Sequence, residues 1–126
     1  LRPWENNENI SVRVSKHHRN KAVTLFSVKG LINTSTAPLF EKKFLSVLGK
    51  KKFKLVIDLK NVNFICNSGW GILIRQIRRV RNHKGDLVLV GMNPEISEIF
   101  DLLDFTAILK SFPDVESAVQ KGFGKP

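Results

Sequence analysis

At 126 residues the chain fits one domain with a single core and leaves little room for a second. No apolar run approaches the roughly 20 residues of a membrane-spanning helix, and no apolar stretch follows Leu1-Arg2-Pro3-Trp4 as it would in a secretory leader. The formal charge of +10 favours anionic partners, whether nucleic acid, anionic lipid or an acidic protein.

Residues 1–9 are polar and read as a flexible N-terminal arm; without an initiator Met, the sequence reads as a piece of a longer chain. Ile10–Val14 alternates apolar with polar residues, the period of a strand. His17–Lys21 reads as a turn, and Ala22–Val28 returns as a second strand punctuated by Gly30. Asn33, Thr34 and Ser35 are candidate caps for a helix with Pro38 in its first turn. Leu39, Phe40, Phe44, Leu45 and Leu48 form its apolar stripe, and Gly49 stops it. Phe53–Leu59 is an apolar run suited to a central strand, and Asn61–Ile65 a separate extended piece.

Asn67-Ser68-Gly69 opens the next helix, with Asn67 or Ser68 as its cap. Ile72, Leu73, Ile77 and Val80 form its inner stripe, and Arg75, Arg78, Arg79 and Arg81 occupy much of the remainder. Asp86–Gly91 is a buried-type strand. Pro94–Leu103 is a short helix with Ile96, Ile99, Phe100 and Leu103 inward. Ala107–Lys110 reads as a last strand, Pro113–Gln120 as a last helix, and 121–126 as a flexible tail. The order ββαβαβαβα makes an α/β fold over residues 10–120, with a mixed, mostly parallel sheet of about five strands and helices packed on it.

Chemistry is sparse. Cys66, the single cysteine, cannot form an internal disulfide and points to a reducing compartment, the cytoplasm. His17 and His18 sit at one end and His83 after the basic helix, so no converging ligand set for a metal is visible. His83 lies roughly 22 Å along the helix from Ser68, too far to activate it as a nucleophile. Phosphate-binding glycine loops are absent, Gly69-Trp70-Gly71 giving only a GxG. Neither enzyme activity nor a cofactor is expected. A helix N-terminus beginning near Ser68 offers unpaired amides and partial positive charge, so a phosphate there would be well received. Spacing alone favours the plainer reading, in which Asn67 or Ser68 only caps the helix.

The stretch Leu55–Leu73 resembles the STAS domain of bacterial anti-sigma factor antagonists. Their signature is a strand ending in Asp-Leu, a segment ending in Phe-Ile or Phe-Met, then Asp-Ser-Ser-Gly-Leu-Gly and a helix. Asp58-Leu59, Phe64-Ile65, Ser68-Gly69 and Gly71 match in register. Gly30–Ala37, Gly85–Gly91, Pro94 and Leu102-Leu103 extend the likeness over about residues 10–120. The resemblance implies a phosphoprotein of the partner-switching kind. When unphosphorylated, such an antagonist binds an anti-sigma factor serine kinase and so frees a sigma factor. Phosphorylation at the position of Ser68 disables it, and a serine phosphatase restores it. The surface implied for the partner comprises Asn33, Thr34, Cys66, Asn67, Ser68, Gly69, Trp70 and Arg75. Cys66 replaces the motif's Asp, Asn67 its first Ser and Trp70 its Leu. Trp70 reads equally as an interface anchor or as a core residue.

The family also includes scaffold modules of stressosomes and lipid-transport complexes, which bind a partner without switching; that reading is the alternative. A nucleic-acid role ranks last, because the basic helix is not accompanied by exposed rings for base stacking. A weak homodimer remains compatible with the sequence.

Overall fold

The structure, a computed structural model, describes residues 6, 7 and 9–123. Alternating apolar residues make Ile10–Lys16 (β2) and Thr24–Ile32 (β3) an antiparallel pair, with Val12 opposite Val28 and Val14 opposite Phe26. Asn6–Asn7 (β1) adds two residues to the outer edge of β2. The remainder of the expected arm, residues 1–5 and 8, and residues 124–126 of the expected tail lie outside the described residues. Lys121 and Gly122 belong to the last helix.

Lys54–Ile65 (β4), Asp86–Val90 (β5) and Lys110–Phe112 (β6) continue the sheet in parallel beyond β3, so the spatial order follows the chain order. The connections are Ala37–Gly49 (α1), Asn67–Asn82 (α2) and Pro94–Leu102 (α3). All three pack with Leu55, Ile57, Leu59, Leu87 and Leu89 in the main core. The alternate residues Val56, Val88 and Val90 point the other way, against Ala118 and Val119 of Val115–Gly122 (α4). β4 and β5 are thus covered on both faces over their shared length, which is why each reads as a continuous apolar run.

Several elements differ from expectation. The two extended pieces at 53–65 are one twelve-residue strand, kept in register with β3 by irregularities near Ser27–Lys29 and Gly30–Leu31. Gly30 does not end β3; at φ +109 it sits within the strand, and a Cβ there would collide with the Asn9 carbonyl. The segment expected as a last strand at 107–110 begins with a 3-10 turn, Phe105–Ala107, and pairing starts only at Lys110. Leu45 and Leu103, expected inward, are exposed, and Ile99 is partly so.

Candidate functional site

The carboxyl ends of β3 and β4 lie side by side, with Ile32 paired to Ile65. The chain leaves β3 into the loop before α1, and leaves β4 directly into α2. The Cys66 N–H donates to Ile32 O at 2.8 Å and joins the two exits. Asn33, Thr34, Cys66, Asn67 and Ser68 are therefore brought together at one pole.

The loop before α1 is braced from within. The Thr36 hydroxyl donates to Leu31 O at 2.7 Å and accepts the Asn33 N–H at 2.9 Å. Asn33 Oδ1 accepts from the Ser35 and Thr36 amides at 3.0 Å each. Asn33 thus caps the turn that precedes α1, while Thr36 occupies the helix N-cap position and no side chain caps the helix itself. Thr34 is left exposed at the tip.

The N-cap of α2 is Cys66, whose side chain accepts no capping bond. Asn67 and Ser68 are already the first two helical residues, so neither fills the cap role expected of them. The Trp70 N–H donates to Cys66 O at 3.1 Å as the first turn of the helix closes. The amides of Asn67, Ser68 and Gly69 therefore have no intrahelical acceptor. Ser68 is exposed; before it in the chain Asn67 is exposed and Cys66 half-buried, and after it Gly69 is buried.

Gly69 and Trp70 position this turn from beneath. A Cβ on Gly69 would lie 2.7 Å from Ile32 Cγ2 and 2.8 Å from Ile65 Cγ2, so only glycine lets the helix seat this closely on the strand ends. Gly69 can thus offer a partner no side chain, only backbone. Trp70 is 3 % exposed. Its ring lies 5.0 Å from that of Phe105 and 6.0 Å from that of Phe100, centroid to centroid. Of its two readings the core one holds, and the interface-anchor role is withdrawn for the side chain. Arg75 is exposed and paired with Glu41 of α1 at 2.7 Å.

Two exposed apolar features were missed in the sequence. Phe64 is 47 % exposed immediately before this turn. On α3, held to Trp70 through Phe100, Leu102 is 76 % exposed beside Leu103. The signal was present: Ile96, Ile99, Phe100, Leu102 and Leu103 are more apolar positions than one face of so short a helix can bury.

Elsewhere, His17, His18 and Glu116 converge. His17 Nδ1 accepts the Arg19 and Asn20 amides at 3.2 and 3.0 Å, so the ring proton sits on Nε2 and is donated to Glu116 Oε2 at 3.0 Å. A nitrogen carrying that proton has no lone pair for a metal, and the cluster instead ties α4 to the turn between β2 and β3.

A fold of this topology, with its exposed serine at the start of α2, defines a class of small α/β domain. The sequence profile of the STAS domain matches residues 11–118, and the chain belongs to that family. An anti-sigma-B factor antagonist of Bacillus subtilis is 25 % identical over 112 residues, covering 89 % of this chain and 99 % of the relative. The crystal structure of an anti-sigma factor antagonist from Mycobacterium paratuberculosis superposes with a TM-score of 0.81 at 25 % identity, covering 93 % of this chain and 97 % of that one. The Bacillus cell fate determinant SpoIIAA in its phosphorylated form shares the fold with a TM-score of 0.67 at 12 % identity, over 89 % of this chain and 99 % of that one. Among the described residues no helix is long and apolar enough to cross a membrane.

Proposed function

We propose that this chain is a cytoplasmic anti-sigma factor antagonist, without catalytic activity of its own, switched by phosphorylation of Ser68. The observation that carries the proposal is the exposed Ser68 hydroxyl at the start of α2, beside three amides without intrahelical acceptors and in register with the family motif. The antagonist names borne by the relatives agree with it.

In this reading the unphosphorylated pole, with Asn33, Thr34, Cys66, Asn67 and Ser68, docks on an anti-sigma factor serine kinase and displaces a sigma factor. Ser68 Oγ then attacks the γ-phosphorus of the kinase's ATP. The new O–P bond forms as the β–γ bridging bond breaks, ADP leaves, and the hydroxyl proton passes to a base on the kinase. The phosphate adds about −1.5 to −2 charge to a surface packed while neutral, and it turns to the free amides of α2. Docking is lost until a serine phosphatase removes the group.

Incubation with an anti-sigma factor kinase and ATP should add one phosphate to the wild-type chain and none to Ser68→Ala. Ser68→Asp should weaken kinase binding. The departures Cys66 and Asn67 favour one other reading, a non-switching scaffold module. Kinase affinity indifferent to Ser, Ala or Asp at position 68 would select that reading and sink the first.

A further inference from the structure

The pole opposite Ser68 carries a second surface that the switch does not use. Three connections end there: the turn between β2 and β3, the loop after α1 and the loop after α2. They enclose a shallow cleft of about 380 Å³ lined by Lys21, Lys50, Lys51, Lys52, Lys54 and Lys84, with Ala22, Phe53, His83 and Gly85. Among the described residues no acidic side chain lines it. Asp86, next in the chain, is already held by Arg81 at 3.2 Å and Lys110 at 3.4 Å.

Helix ends explain only part of this charge. The carboxyl termini of α1 and α2 each carry about half a negative charge, which roughly one lysine would balance. Two of the lysines also stand in a backbone conformation that residues with a Cβ avoid: Lys51 at φ 60 and Lys84 at φ 64. Each follows a helix end, where glycine is the residue without strain. Both positions keep a cation instead. Glycine is present one residue later, at Gly85, where a Cβ would collide with the Phe53 carbonyl.

From these features we infer that the lysine pole binds an anionic membrane surface, through the phosphates of acidic lipid headgroups. The charges are ammonium groups on flexible stems, spread over three loops and the first residue of β4. That arrangement suits a diffuse sheet of charge, whereas nucleic-acid recognition favours guanidinium forks and open rings. Among the described residues no arginine lines the cleft, and the exposed ring of His83 already lies flat on Phe53 at 4.2 Å and 7°. Ser68 and Lys84 are separated by the length of α2, about 24 Å. A chain lying on lipid by this pole therefore keeps its switch surface turned toward solvent.

The test is flotation of the chain with vesicles rich in phosphatidylglycerol and with vesicles of phosphatidylcholine alone. Binding is expected to the first only, and to weaken as salt is raised. The double variant Lys51→Gly, Lys84→Gly separates charge from folding, because glycine relieves both strained positions. It should melt at a higher temperature than wild type yet partition roughly 25-fold less, at about fivefold per lysine. Lys51→Arg, Lys84→Arg should partition like wild type. Absent flotation at low salt, equal binding to both vesicles, or an unimpaired glycine variant would each overturn the inference. So would tighter binding of duplex DNA than of anionic vesicles through the same lysines. None of these outcomes depends on phosphorylation of Ser68.

Discussion

Gly69 and Gly71 flank Trp70 in the first turns of α2, yet substitution should have opposite effects at the two. At Gly69, alanine gains helix propensity of about 1 kcal/mol but forces a methyl against Ile32 and Ile65, both buried and branched at Cβ. Overpacking of that kind costs about 1–3 kcal/mol, so the clash outweighs the gain. Gly69→Ala should lower the thermal midpoint. At Gly71 a Cβ would meet only Arg75 Nη1, at 3.7 Å, and Gly71→Ala should raise it. Thermal melts of the two variants decide this, and a stabilised Gly69→Ala would disprove the close seating of the helix. Truncating Trp70 would remove a buried ring at the same junction, so loss of partner binding in such a variant would report folding before it reported contact.

At the scale of elements, α4 is the piece whose attachment depends most plainly on ionised carboxylates. Its cap is Asp114, whose Oδ1 accepts the Ser117 N–H at 2.8 Å, and that bond lowers the Asp114 pKa below its ordinary value. The hydrogen bond from His17 lowers that of Glu116. A carboxylate depressed in the folded state stabilises it fully above the unfolded-state pKa, and the stabilisation disappears as pH falls through the folded one. Acid titration should therefore loosen α4 from Val56, Val88 and Val90 before the three-helix face opens. Hydrogen exchange at the α4 amides, followed from neutral pH downward, measures it. Asp114→Asn, which keeps an oxygen acceptor without the charge, should flatten that pH dependence. If α4 and α2 lose protection together in the wild type, the carboxylates do not control the attachment.

For the whole molecule, the net charge of +10 is arranged rather than diffuse. The lysine cleft lies beyond the carboxyl end of α2, and Arg78 and Arg79 stand exposed along the same helix. Arg75 is partly neutralised by Glu41, which leaves Arg78 the better probe of long-range attraction. If an acidic kinase docks at the Ser68 pole, Arg78→Glu should slow its association by several-fold at low salt, and the difference should shrink as salt is added. Stopped-flow association rates test this. A rate unchanged by charge reversal removes electrostatic steering from the account.

Patterns of period two and of helical spacing were enough to place the β2–β3 pair, α1, α2, β5 and the parallel arrangement. The run from Asp58 to Gly71 was enough to indicate the family and to put Ser68 in the first turn of α2, because those features are local in the chain. Which residue caps α2, which way Trp70 points and which apolar residues of α3 remain outside were settled only by packing. The cap passes to Cys66 because its amide is needed by Ile32 on another strand, and Trp70 is drawn inward by Phe100 and Phe105, some thirty residues away. The lysine pole likewise exists only in three dimensions. Its members come from three separate loops and the start of β4, and nothing in their linear order shows that folding sets them around one cleft.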